Sequence, residues 1–396
     1  MINLITNHIN FKKIGIFLAL YFVTAGIILS VFFLKPEQRS YFPIFRIFII
    51  FFATILLTKY FVYMSLSPWH DVAIKFKKLK KTKRNRLSLY YPRVSVIVPA
   101  WNEEVGLLST VNTILDSTYR NVEIVVVNDG STDESDAMMK KFLRNYKRRK
   151  ISKNKRINII YHYKENGGKG RALNRGIELS TGEIIMSIDA DCIVAPDAIA
   201  NFVKCFEDKK VMAAVGNVKI GNTKTVLGMI QHLEFLFSFY FKKAESLVNT
   251  IYIIGGAAGA FRKEVFRKIG VYNHDNITED IELSVRIQKA GMKIVYAHDA
   301  LVYTEGATTL RGLMTQRLRW KRGRFQTFYD HKDLFLSARK HHNKLLTFVS
   351  LPLAVFGDIQ LFFEVIFLIF LYVYSVLTHD FSSFISGILV VSSMFL

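Results

Sequence analysis

From Arg93 onward, short β-branched runs alternate with longer stretches of helical period. Val94–Val98, Val122–Val127, Ile157–Tyr161 and Ile184–Ile188 predict strands. Glu103–Leu115, Asp133–Tyr146 and Gly170–Leu179 predict the helices between them. Strands alternating with helices imply parallel pairing through right-handed crossovers. The expected fold is therefore α/β, with a central, mostly parallel sheet. Such sheets hold ligands at the carboxyl ends of their strands. Farther on, Val226–Leu247 predicts a long helix, and Ile251–Ala260 is an apolar run ending in small residues. Thr278 is placed to cap another helix, with Ile281, Val285 and Gln288 on successive turns. Lys147–Lys155 is basic and polar and predicts a surface loop.

The two ends of the chain read differently. Ile14–Leu34 is 21 residues without a charge, long enough for a bilayer core of roughly 30 Å. Phe42–Leu66 is a second apolar stretch, and Ile359–Thr378 a third. Leu345–Gly357 is short and interrupted by Pro352, which predicts an interfacial segment. Phe381–Leu396 is apolar to its last residue and predicts that further apolar chain follows. The expected organisation is a transmembrane hairpin over 1–68 and a basic juxtamembrane linker over 69–90. A catalytic domain over 91–335 follows, then an interfacial segment over 336–358 and a C-terminal transmembrane region over 359–396.

Charge adds an orientation. Eight Lys or Arg fall between Lys75 and Arg86, and positive charge beside a span marks the cytoplasmic side. Net charge is +22, which fits retention at anionic lipid headgroups. The basic run abuts an apolar stretch and holds few aromatics, which argues against nucleic acid as a partner. Cys192 and Cys205 are the chain's two cysteines, too few for a disulfide framework or a paired-cysteine metal site.

Several acidic motifs sit at the predicted strand ends. Asp189 and Asp191 flank Ala190 just past the fourth strand. Such a pair can serve a ribose or diphosphate and a hard divalent cation, Mg²⁺ or Mn²⁺. Asp129 lies in Asn128-Asp129-Gly130-Ser131, which is turn chemistry and also a carboxylate able to accept from a nucleotide base. Asn166-Gly167-Gly168-Lys169-Gly170 lacks P-loop spacing, yet it can bring Lys169 to a phosphate. Glu279 and Asp280 open a helix, where acids complement the dipole; Asp280 can equally serve as a general base. Gln316, Arg319 and Trp320 share one helix face, with Trp320 a flat platform for a sugar ring.

The ordered set Pro99-Ala100-Trp101-Asn102-Glu103, Asn128-Asp129-Gly130, Asp189-Ala190-Asp191, Thr278-Glu279-Asp280 and Gln316-Arg317-Leu318-Arg319-Trp320 resembles the processive family 2 glycosyltransferases. These include the synthases of cellulose, chitin, hyaluronan and bacterial poly-N-acetylglucosamine. The resemblance covers roughly residues 90–335. The layout resembles most the bacterial poly-β-1,6-N-acetylglucosamine synthase type. The resemblance implies a cytosolic GT-A domain flanked by transmembrane helices in the bacterial plasma membrane. It implies a UDP-sugar donor, a divalent metal and inversion to a β-linkage. It assigns Pro99, Asn102, Glu103, Asp129, Lys169, Asp189 and Asp191 to the donor, with Asp191 also on the metal. Asp280 becomes the base, with Glu279 beside it. Gly255, Gly256, Gln316, Arg319 and Trp320 are assigned to the acceptor and product. Implied partners are a growing glycan, membrane lipids and accessory synthesis or export proteins. Two other readings share these motifs: transfer of one sugar to a lipid phosphate or glycolipid, and a receptor that only senses a nucleotide sugar.

Overall fold

The computed structural model describes residues 55, 58–76, 90–150 and 157–378. It divides into two compact units, Ser67–Ser350 and the two chain ends Met1–Leu66 and Leu351–Leu396. A first helix, α1, covers residues 58–76.

The larger unit begins with β1 (Val94–Ala100), α2 (Leu107–Leu115), β2 (Val122–Asp129), α3 (Ser135–Lys150), β3 (Asn158–Lys164), α4 (Lys169–Leu179) and β4 (Ile184–Ser187). These four strands pair in parallel, in the order β3-β2-β1-β4. β1, β2 and β4 are buried along their whole length, as near-continuous apolar runs require. Their alternating side chains build two cores. Val94, Val96 and Val98 pack toward α2 and its Leu107, Val111 and Ile114. Ile97, Val125 and Val127 pack on the opposite face, toward Ala172, Leu173 and Ile177 of α4. Ala100 pairs with Asn128, so the loops leaving β1 and β2 emerge side by side.

The second half comprises β5 (Ile193–Val194), α5 (Ala198–Cys205), β6 (Val211–Ile220), α6 (Val226–Val248), β7 (Gly259–Arg262), α7 (Lys263–Ile269), α8 (Glu279–Lys289), β8 (Lys293–Thr304) and α9 (Leu310–Asp330). It extends the sheet to β3-β2-β1-β4-β7-β6-β8-β5. Here the expectation of a mostly parallel sheet needs correction. β7 runs antiparallel to both β4 and β6, and β5 antiparallel to β8, so the sheet is mixed. An antiparallel strand needs no crossover helix, so β7 enters from the irregular segment after α6. The helix after β1 starts at Leu107, not Glu103. Residues 101–106 instead form a loop whose backbone is tied to the neighbouring loop. The basic stretch from Lys147 is helical through Lys150 at the end of α3.

In the smaller unit Leu351–Thr378 is one continuous helix, α10. Pro352 follows directly on a π-helical turn, Leu346–Ser350, a local irregularity of the kind that accommodates a missing N–H, and the helix continues past it, contrary to the expected interruption. Ile14–Leu34, most of residues 42–66 and all of 381–396 lie outside the described residues. Among the described residues no helix is long and apolar enough to cross a membrane.

Candidate active site

The β1 and β2 loops are joined by reciprocal side-chain to backbone bonds. Asn102 adopts φ 54°, a left-handed conformation that Asn tolerates better than most residues. Its N–H donates to Ser131 Oγ at 3.0 Å, and its Oδ1 accepts from Thr132 N at 2.8 Å. Glu103 N donates to Ser135 Oγ at 2.9 Å, and Glu104 N to Asp133 Oδ2 at 3.0 Å. Asn102 thus braces the two loops. Pro99 is buried within β1. Asp129 is 3% exposed. Its carboxylate accepts from Lys164 Nζ and from the Gly167 and Gly168 amides, the latter at 2.7 Å. It therefore fixes the glycine turn that opens α4, where Gly168 takes φ 89°.

That turn delivers Lys169 to the centre of the site. Its Nζ lies 2.5 Å from Asp189 Oδ1 and 3.9 Å from Glu279 Oε1. Asp280 sits one residue farther along α8. Its Oδ2 accepts from Gly256 N at 2.8 Å, and its Oδ1 from Ile281 N at 2.8 Å. A Cβ on Gly256 would stand 2.7 Å from Lys169 Nζ and 3.6 Å from both Asp189 Oδ1 and Asp280 Oδ2. A side chain there would displace the Lys169 ammonium from its place beside Asp189. Burial raises the pKa of Asp280 above the ordinary carboxylate range, against the pull of Lys169. Burial likewise raises Glu279, opposed by Lys169 and reinforced by Asp280. Lys169 itself is raised, since Asp189, Glu279 and Asp280 outweigh its desolvation. One ammonium thus serves three carboxylates, leaving the cluster negative.

The Asp189–Asp191 turn is buttressed from below by α2. Thr110 Oγ1 donates to Ala190 O at 2.7 Å, and a Cβ on Gly106 would meet that same oxygen at 2.9 Å. Cys192 is fully buried and packs as a small side chain. Burial and the neighbouring Asp189 raise Asp191. Glu103 is pushed up to about 7, first by burial and then by Asp191 and Asp189. Between its ordinary 4.5 and about 7, the folded chain holds a proton at Glu103 that the unfolded chain has released. Ligand-free stability therefore declines through this group as pH rises across that window. Glu103→Gln removes the titration. The variant should melt above wild type at about pH 8 and converge on it at about pH 5. An equal gap at both values in a melting series would contradict this.

α9 crosses the loop that leads into the acids of α8. Gln316, Trp320, Gly323 and Thr327 share one face at helical spacing. Asn276 Nδ2 donates to Thr327 Oγ1 at 3.2 Å, and Ile277 N to Gln326 Oε1 at 3.3 Å. A Cβ on Gly323 would stand 2.2 Å from Thr278 Oγ1, so α9 lies directly on Thr278. Thr278 makes no capping bond, contrary to expectation. Its hydroxyl is turned to Asn276 Oδ1 at 3.4 Å, beneath α9. The Arg317 guanidinium covers the Trp320 ring at 4.4 Å and is held by Glu234 at 2.7 Å. Arg319 is exposed at the edge of this face.

Residues 184–392 match Glycosyl transferase family group 2. The chain belongs to this family. Residues 95–270 also match Glycosyl transferase family 2. Poly-beta-1,6-N-acetyl-D-glucosamine synthase of Staphylococcus aureus (strain COL) is 30% identical over 69% of this chain and 64% of its own length. The synthase of the same name from Staphylococcus epidermidis is 29% identical over 67% and 63%. The chain thus spans less than two thirds of the curated relatives it matches. Among solved structures, a mannosyltransferase from Pyrobaculum calidifontis, in complex with GDP-Man and Mn2+, aligns with a TM-score of 0.53 and 21% identity. The alignment covers 83% of this chain and 97% of that one. The glycosyltransferase fold is therefore shared.

Within this glycosyltransferase, the structure brings Lys169, Asp189, Gly256, Glu279 and Asp280 into one cluster. It places Glu103 within electrostatic reach of Asp189 and Asp191. Gly255 lies beside the cluster with open space where a side chain would project. Reading motifs did not find Lys164, Arg317 or Gly323. Each has a partner in a distant segment (Asp129, Glu234 and Thr278 respectively), and sequence spacing carries no trace of that pairing. Among the described residues, no group of three or more His, Cys, Asp or Glu is arranged to hold a metal ion. The carboxylates of Asp189 and Asp191 still suit a hard cation, because burial and Asp189 raise Asp191 even against the pull of Lys169 and the Cys192 hydrogen bond.

Proposed function

We propose that this chain transfers N-acetylglucosamine from UDP-N-acetylglucosamine, with inversion, onto a growing β-linked glycan. The observation that carries the reading is the cluster of Asp280, Gly256, Lys169 and Asp189 on a family 2 glycosyltransferase frame. The names of the staphylococcal relatives support the choice of sugar.

In this reading Asp280 accepts the proton of the acceptor hydroxyl as that oxygen attacks the anomeric carbon. The bond to the nucleoside diphosphate breaks on the opposite face, and the diphosphate carries the electron pair away. The amide of Gly256 aims the carboxylate, and its raised pKa makes it a better proton acceptor than an exposed Asp. Lys169 leaves its carboxylate partners for the diphosphate oxygens. Asp129 acts by holding the turn that presents Lys169. Asp191, with Asp189, would hold Mg²⁺ or Mn²⁺, which when bound neutralises charge on the departing diphosphate. Trp320, with Arg317 on one face of its ring, offers the other to an acceptor sugar, and Gln316 and Arg319 flank it. Gly255, with open space where a side chain would project, leaves room for the glycan beside Gly256. Processive extension and export rest on the resemblance carried by the Gln316–Trp320 motif set, and a plasma-membrane location with a cytosolic catalytic domain rests on the apolar runs and basic stretch of the sequence.

Calorimetric titration tests the donor. UDP-N-acetylglucosamine should bind with Mn²⁺ present and outcompete GDP-mannose; tighter binding of the guanosine donor would overturn the assignment. Asp191→Ala should lower donor affinity by about tenfold with metal present, and by far less in chelator. A metal effect of unchanged size in the variant would remove Asp191 from the cation site.

A further inference from the structure

Residues 249–256 connect α6 to the short 3-10 turn Gly256–Ala258 and have no strand or helix partner of their own. Buried backbone of this kind must find hydrogen bonds elsewhere. It finds them on one face of α8. Asp280, Ser284 and Gln288 recur at i, i+4 and i+8 and so line up along the helix. Asp280 Oδ2 accepts from Gly256 N at 2.8 Å. Ser284 Oγ accepts from Ile254 N at 2.9 Å. Gln288 Nε2 donates to Ile251 O at 2.7 Å and to Asn249 O at 3.2 Å. The segment therefore runs antiparallel to α8, with the helix face acting as its pairing edge.

The spacing is matched. One helical step of four residues rises roughly 6 Å, and two extended residues advance roughly 6.6 Å. Ile254 and Gly256 thus meet Ser284 and Asp280 in register, and the longer Gln288 reaches the next carbonyls. Ser284 is fully buried, and its single hydroxyl proton is committed to Asp280 O at 2.6 Å. Its lone pairs are thereby left to face Ile254 N–H. On another side Lys242 Nζ donates to Ile253 O at 3.0 Å. The segment is clamped, and its end point is the amide that aims Asp280.

We infer that Ser284 is a positioning residue for catalysis: through Ile254 it sets the distance of the Gly256 amide, and hence the aim of the Asp280 carboxylate. This rests on the reading of Asp280 as the base. Without Ser284 Oγ the buried Ile254 N–H loses its acceptor and the segment shifts along α8. The donor contacts at Lys169, Asp189 and Asp191 lie on other elements and stay in place.

The test is steady-state kinetics of UDP release by the full chain with UDP-N-acetylglucosamine and Mn²⁺. Ser284→Ala should lower kcat about tenfold and leave the donor KM within about twofold, since one buried hydrogen bond is at stake. Ser284→Thr keeps the hydroxyl and should retain most of kcat. Gln288→Leu should give the same split with a smaller loss, and it keeps the test open should Ser284→Ala fail to fold. An unchanged kcat in Ser284→Ala, an equal change in kcat and KM, or no rescue by threonine would overturn the inference. Asp280→Asn run in parallel separates the two readings. If it stays active, the base assignment has failed; if it is dead while Ser284→Ala is fully active, only the positioning has failed.

Discussion

Asp280→Asn should lower turnover by about 10²–10⁴-fold while leaving UDP affinity nearly unchanged. The asparagine is the same size, and its single oxygen can still accept from Gly256 N, which now lies 2.8 Å from Asp280 Oδ2, at the loss of the bond that Oδ1 accepts from Ile281 N. What it lacks is a lone pair basic enough to take a proton. The donor side is insulated from the change. Lys169 makes its close ion pair with Asp189 at 2.5 Å, and that pair survives the substitution. The variant also removes one of the three carboxylates that raise Lys169, so its ammonium is less tightly held and donor binding does not suffer. Rapid-quench turnover and calorimetric UDP binding on one preparation give both numbers. Turnover near wild type would remove Asp280 as the base. A parallel loss of UDP binding would mean that it holds the donor.

Gly323→Ala is the second large effect, and its sign is diagnostic. On helix propensity alone, alanine in place of an interior glycine should stabilise α9 by about 1 kcal/mol. The packing predicts the reverse. The new Cβ would stand 2.2 Å from Thr278 Oγ1, 2.4 Å from Cγ2 and 2.7 Å from Cβ. Thr278 has little freedom to retreat: it is 3% exposed, and its N–H is held by Asn276 Oδ1 at 2.9 Å. Overpacking of this kind costs about 1–3 kcal/mol. Either α9 lifts, carrying Trp320 with it, or Thr278 moves and displaces Glu279 and Asp280 beside it. Turnover should fall at least about tenfold and the melting temperature should drop. Thr278→Gly clears all three atoms, so the double variant should recover activity relative to Gly323→Ala alone. Strictly additive losses in that cycle would show that the two residues do not meet.

How much of this was legible in the sequence follows from the physics of each element. β1, β2 and β4 were readable because strands buried on both faces are unbroken apolar runs. The acids at their carboxyl ends were readable because the chain must leave the sheet there. β6 and β8 were not. Their pairing skips from Gly216 with Ala297 to Asn217 with Leu301, and the looped-out residues break the period-two pattern. β7 hid inside the apolar run 251–260, whose first half is extended backbone that pairs with helix α8 instead of a strand. Asn102 and Asp129 illustrate a different limit. Motif position assigns both to the donor; the fold adds that their side chains also organise the loops that present other groups. A motif marks where a site is more reliably than it says which atom faces the ligand.

The most direct test of the central claim is the product itself. Membranes carrying the full chain are incubated with radiolabelled UDP-N-acetylglucosamine and Mn²⁺, UDP release is followed, and the labelled product is sized on a gel. UDP release matched by high-mass material that a poly-β-1,6-N-acetylglucosamine hydrolase digests is the predicted result. A single-sugar, lipid-extractable product would contradict processive polymerisation, and absence of UDP release with this donor would contradict the assigned sugar.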